Sequence, residues 1–162
     1  MNRNKRGFTL IEVTVVLVLI SIIAAAVFAR SISTDQINVV GEVDKIRNHI
    51  RYAQSLAMKR SEIRGFKCDG LSPGSYWMFT GCDPDNVSNQ IALPGETAVT
   101  VSLPSAISIN SITVFFDTYG KPYSACTDES DKTPLSSELT ITISGSPRNL
   151  TITPETGFII TQ

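Results

Sequence analysis

At 162 residues, 42% hydrophobic and 18% charged, the chain has room for one globular domain plus a membrane segment and is too apolar for a disordered polymer. Its formal net charge of −1 is unevenly spread: Arg3, Lys5 and Arg6 open the chain without an accompanying acid, so the remainder carries −4. A mildly acidic body of this kind lacks the clustered basic face of a general nucleic-acid binder.

From Phe8 to Ala29 the sequence FTLIEVTVVLVLISIIAAAVFA contains a single ionisable residue, Glu12, and is long enough to cross a bilayer core as a helix. The preceding cations are an orientation signal: they stay cytoplasmic, and the chain from about Arg30 onward lies on the opposite side. Three readings compete for the segment: a plain anchor, a prepilin-type signal, and a secretory signal for which Ala24-Ala25-Ala26 supplies an A-x-A-like site. Glu12 decides among them. A carboxylate in an apolar helix costs roughly 2.5–3.5 kcal/mol on insertion scales and ordinarily has a partner or a function, so a disposable signal gains nothing from it.

The residues Arg6-Gly7-Phe8-Thr9-Leu10-Ile11-Glu12 resemble the prepilin leader motif of type IV pilins and type II secretion pseudopilins. The resemblance implies that a prepilin peptidase cuts between Gly7 and Phe8 on the cytoplasmic side and methylates the new amino terminus at Phe8. It also implies that Glu12 neutralises the Phe8 amine of a neighbouring subunit during assembly. Gly7 suits the cut, since it offers no side chain to obstruct a peptidase. The implied layout is a cleaved leader (1–7), a transmembrane and assembly helix (8–29), an amphipathic continuation (30–64) and a periplasmic β-rich head (65–162). The implied partners are other pilins or pseudopilins, prepilin peptidase and an inner-membrane assembly platform. The implied location is the inner membrane, then a pilus or pseudopilus reaching the cell surface.

Beyond Ala29, the residues Ser31, Ser33, Thr34, Asp35 and Gly41 are indifferent or poor helix formers, which marks a soft stretch. Many filament-forming pilins similar to this chain place a proline near the middle of the first helix, where Ala29 stands. Val39, Val43, Ile46, Ile50, Ala53 and Ala57 step by four and three and define one face of an amphipathic helix. Helix from Phe8 to Arg64 would measure about 85 Å. Lys45, Arg47, Arg51, Lys59, Arg60 and Arg64, set against Glu42, Asp44 and Glu62, read as its solvated face, with subunit contact or weak DNA binding as the sharper alternative.

After Gly65 the pattern is of strands. Ser75–Gly81, Val99–Leu103, Ile112–Phe116, Leu139–Ser144, Leu150–Thr153 and Phe158–Thr161 are short β-branched or aromatic runs between turn clusters, with Gly145-Ser146-Pro147 as a hairpin turn. The expected class is α+β: a long N-terminal helix packed on an antiparallel sheet or small sandwich. Val114-Phe115-Phe116-Asp117-Thr118-Tyr119-Gly120-Lys121-Pro122 and Leu150-Thr151-Ile152-Thr153-Pro154-Glu155-Thr156-Gly157-Phe158 are similar to stretches of the GspH/FimT group of minor pilins and pseudopilins, which includes mannose-sensitive haemagglutinin-type minor pilins.

The three cysteines fit an oxidising compartment. Cys68 and Cys82 flank an expected strand and are the favoured pair; Cys126 is left to displace either one, stay free or bridge to another subunit. His49, the single histidine, has no second ligand at metal spacing and reads as a surface or rim residue. Asp83-Pro84-Asp85-Asn86 and Asp128-Glu129-Ser130-Asp131 read as turns and not as calcium loops. With no nucleophile motif or phosphate loop, the chain is expected to be neither an enzyme nor the holder of a cofactor or metal. The expected function is a minor pilin or pseudopilin at or near a filament tip, the alternative a pilus-associated DNA- or ligand-binding module.

Overall fold

The computed structural model describes residues 9–31, 34–105 and 107–162, and the chain divides into two compact units, Met1–Ile37 and Asn38–Gln162. Two helices lead the chain: α1 (Leu10–Ser31), in the first unit, and α2 (Thr34–Arg60), whose amphipathic length from residue 38 belongs to the second.

α2 ends at Arg60, four residues before the sequence-based limit at Arg64. Ser61 takes a left-handed conformation (φ 53°) and the Glu62 amide donates to the Ala57 carbonyl at 3.3 Å, the terminating turn of a Schellman motif with serine in the place glycine usually holds. Arg64 therefore leaves the helix and opens β1 (Arg64–Cys68), a strand whose Arg-Gly-Phe-Lys-Cys sequence carries no β-branched run to announce it.

The chain then forms β2 (Ser75–Thr80), β3 (Gln90–Ile91), β4 (Thr100–Ser102), β5 (Ile112–Phe116), β6 (Pro122–Cys126) and β7 (Lys132–Pro134). With β1 they make one antiparallel sheet of seven strands in the order β3-β2-β1-β5-β6-β7, with β4 also paired to β2. β8 (Leu139–Ile141), β9 (Leu150–Ile152) and β10 (Ile159–Thr161) form a second antiparallel sheet, and Gly145, at φ 76°, turns β8 into β9. The class is α+β, with helix packed on antiparallel sheet.

The core lies between α2 and the two sheets. Val39, Val43, Ile46, Ile50, Ala53 and Ala57 meet Phe66, Tyr76, Met78, Val114 and Phe116 of the large sheet and Ile141, Leu150 and Ile152 of the small one. The face of the large sheet turned away from α2 carries a smaller cluster of Ile63, Phe79 and Phe115, edged by Trp77, Tyr123, Cys82 and Cys126. Gly65 is required there, because a Cβ at this position would lie 2.1 Å from the Phe79 ring.

The expected Cys68–Cys82 bridge is replaced by Cys82–Cys126, with Cα atoms 5.1 Å apart, and Cys68 is a buried free thiol. The strand register explains the exchange. β1 and β2 pair Arg64 with Thr80 and Cys68 with Tyr76, so Cys82 falls opposite Glu62, six positions and about 20 Å along the strand from Cys68. Cys68 also points into the α2-side core, while Cys82 and Cys126 edge the other face. Closing a chain separation of 44 residues contributes about 4 kcal/mol in the chain-entropy model.

Candidate processing and assembly site

Gly7 and Phe8, the expected processing residues, lie outside the described residues; the site is visible from Thr9 onward. Thr9 precedes the first helical residue, and its carbonyl and hydroxyl oxygens both accept from the Glu12 amide, at 3.1 and 3.3 Å. Thr9-Leu10-Ile11-Glu12 is thus an N-cap followed by an acid at the third helical position, the sequence form of a capping box. Capping satisfies one of the orphan amides of the helix start. The glutamate also sits in the first turn, where the helix dipole favours negative charge.

From Leu10 to Val27 the helix is long and apolar enough to cross a membrane, and every described side chain on it is exposed. Its hydroxyls are satisfied within the helix: Thr14 Oγ1 donates to the Ile11 carbonyl at 2.9 Å and Ser21 Oγ to the Leu17 carbonyl at 2.7 Å. The Glu12 carboxylate has no hydrogen bond or ion pair among the described residues. It is the one charged side chain between Leu10 and Val27.

The head holds a second organised region. Gln54 of α2 donates its side-chain amide to the Gly120 carbonyl at 2.8 Å and to the Thr156 carbonyl at 2.9 Å, fastening both turns to the helix. The buried Asp117 carboxylate shapes the first turn, accepting from the Tyr119 and Lys121 amides at 2.9 Å each and from Tyr123 Oη at 3.1 Å. In the second, Thr153 Oγ1 accepts from the Phe158 amide at 3.0 Å; Lys121 and Glu155 join the two turns at 2.8 Å. The two stretches that carried the finer family resemblance are therefore one structural device. Gly120 (φ 79°) and Gly157 (φ 63°) are needed for the backbone to turn there.

The other residues singled out in the sequence take structural places. His49 is buried, only 6% exposed, which corrects the expected surface or rim position. Asp83 Oδ1 accepts from the Asp85 amide, and Asp128 Oδ1 accepts from Ser130 and Asp131, bonds that hold the Asp128 carboxyl below its usual range and identify both acid clusters as turns. Among the described residues, no three His, Cys, Asp or Glu side chains converge on a metal position. Thr9, Gln54 and Asp117 were missed as organising residues. Thr9 alone had a legible signal, the capping-box spacing to Glu12.

Comparison of the chain with known families matches residues 2–28 to the prokaryotic N-terminal methylation motif. Comparison with curated proteins and with solved structures returned no match. The matched segment runs from the leader cations through the apolar helix and includes Gly7, Phe8, Thr9 and Glu12. The chain therefore carries the leader of a type IV pilin-like protein, which supports a pilin-like subunit processed by prepilin peptidase and anchored through its apolar N-terminal helix.

Proposed function

We propose that the chain is a minor pilin or pseudopilin of the GspH/FimT type, cut between Gly7 and Phe8, methylated at Phe8 and assembled through its N-terminal helix at or near the tip of a type IV pilus or secretion pseudopilus. The observation that carries the reading is the start of α1: a capped apolar helix whose described side chains from Leu10 to Val27 are all exposed and lie within the methylation motif, with one carboxylate in its first turn. In a bilayer the segment is a single-pass anchor, and the leader cations, which favour the cytoplasmic side, support a periplasmic head. In a filament its apolar surface packs on neighbouring helices, and Glu12 meets a neighbour's Phe8 amine. Other pilins, the peptidase and an inner-membrane assembly platform are the partners this reading requires.

The role is structural and not catalytic. A DNA- or ligand-binding head ranks second, because near the carboxyl terminus Arg148 is the one basic residue and no run of Arg or Lys stands there to engage phosphates.

Intact mass of the membrane-extracted protein, made with and without a prepilin peptidase, tests the proposal. The expected species is Phe8–Gln162 plus one methyl group, gaining two hydrogens on reduction. A product lacking everything through Ala26 overturns it.

A further inference from the structure

The β6–β7 hairpin leaves the large sheet as an arm. Pro122 and Tyr123 pair with Phe116 and Phe115 of β5; a register shift follows between Tyr123 and Ala125, and beyond it Ala125 and Cys126 pair with Thr133 and Lys132 of β7 and no longer with β5. The arm, 124–133, is anchored on both sides. Pro122 is buried before it, and after it Leu135, 8% exposed, returns to the core with its amide on the Pro122 carbonyl at 3.2 Å. Among the described residues, the strand pairing and hydrogen bonds of 124–133 all stay within the hairpin, and no ion pair joins the arm to the rest of the head.

The disulfide is the exception. β1 and β5 stand between β2 and β6, so three strand spacings, about 14 Å, separate the two strands within the sheet. Yet Cys126, at the end of β6, meets Cys82, two residues past β2, with Cα atoms 5.1 Å apart. The arm is folded back over the outer face, where both cysteines pack on the Ile63, Phe79 and Phe115 cluster beside Trp77 and Tyr123. It does not close tightly on the body: a cleft of about 340 Å³ lies between them, with Thr127, Asp128 and Glu129 on the arm wall and Ile63 and Cys82 on the other.

We propose that the Cys82–Cys126 bridge is a redox clasp on this arm: oxidised, it holds 124–133 over the outer face, and reduced, it lets the arm leave that face and uncover the Phe79–Phe115 pair while the α2-side core stays shut. The step is a thiol–disulfide exchange with a dithiol. One thiolate of the dithiol attacks a bridge sulfur to form a mixed disulfide, and its second thiol displaces the protein, so the reagent ends as a disulfide and its two hydrogens end on Cys82 and Cys126. Both cysteines are half-buried, and the cleft gives a reagent its path to Cys82.

Once released, the arm keeps its root, because Tyr123 Oη still donates to Asp117 at 3.1 Å and the two β5 pairs remain. Beyond that root it is a two-stranded hairpin with nothing packed on it, a form that is marginal in water, so its own ladder frays. Cys68 takes no part in the exchange. It is fully buried in the α2-side core, and burial pushes its thiol well above the ordinary range.

Hydrogen exchange read by mass spectrometry on the full chain in detergent micelles, with and without dithiothreitol at about pH 7.5, tests the clasp. Protection over 124–133 is expected to fall about tenfold on reduction while that over 43–57 and 64–68 holds. Iodoacetamide added to the reduced but folded protein is expected to label Cys82 and Cys126 and to leave Cys68 unlabelled. The double variant Cys82→Ser, Cys126→Ser is expected to show the low arm protection without reductant and no response to it. Unchanged arm protection in fully reduced protein or in the double variant overturns the proposal. So does a loss spread equally over 43–57, or labelling of Cys68, since the bridge would then hold the whole head and not the arm.

Discussion

The two helices are built for different surroundings. In α1, apolar residues run all round the cylinder, and Leu10, Leu17, Ile20 and Ile23 are all more than half exposed. In α2, apolar residues keep to one stripe, and Val43, Ile46, Ile50, Ala53 and Ala57 are fully buried against the sheets. A stripe has an inside supplied by its own molecule; a helix apolar on every side takes its contacts from lipid or from other subunits. α2 therefore belongs to folding and α1 to assembly, and perturbing each should be felt in a different experiment.

The largest contrast is expected from truncating an aliphatic or aromatic residue in each region. Phe66→Ala removes a fully buried ring from the core and should cost about 3–5 kcal/mol in denaturant unfolding of the head. Leu17→Ala on α1 should leave the same transition unmoved and act on filament incorporation instead. A Leu17→Ala loss above about 1 kcal/mol in head unfolding would break the division. Next in size is the disulfide: Cys126→Ser should cost about 4 kcal/mol under oxidising conditions and nothing further under reduction, whereas the native protein should lose that amount when reduced.

This division was legible in the sequence where period carried the information. The stripe from Val39 to Ala57 and the runs that became β2, β5 and β9 announced themselves through spacing and β-branched or aromatic side chains. β1 and β6 did not, since Arg-Gly-Phe-Lys-Cys and Pro-Tyr-Ser-Ala-Cys have no strand composition and are set by pairing with their neighbours. Cysteine pairing was illegible for the same reason: it depends on the register of β1 with β2 and on which sheet face each thiol meets. Gln54 joins turns 66 and 102 residues away, contacts that no local pattern encodes. At the processing site, by contrast, motif, cap and carboxylate are all local, and only the cap went unread.

Gly65 sharpens the comparison inside the head. It faces Phe79 across the β1–β2 pair, and Phe79 packs edge-on to Phe115 with ring centroids 5.3 Å apart. Gly65→Ala drives a methyl into that ring, and the fully buried Phe79 has little room to yield. A loss of about 1–3 kcal/mol is expected in head unfolding. A neutral result would mean that the face away from α2 is loosely packed.

Thr9 offers the smallest effect and the sharpest assignment. In the native chain its hydroxyl accepts from the Glu12 amide, and Thr9 is the second residue after the expected cut between Gly7 and Phe8, so the cap stays with the helix when the leader is removed. Thr9→Val keeps the shape and β-branching of the side chain but deletes the acceptor, while Thr9→Ser keeps the acceptor. The cap is worth about 1 kcal/mol, so helicity of a leader-spanning peptide in micelles should fall for valine and hold for serine. Head unfolding should move for neither, because the bond lies wholly within the N-terminal unit. If serine and valine lower helicity equally, the hydroxyl is not the cap, and the start of α1 is set by the membrane interface instead.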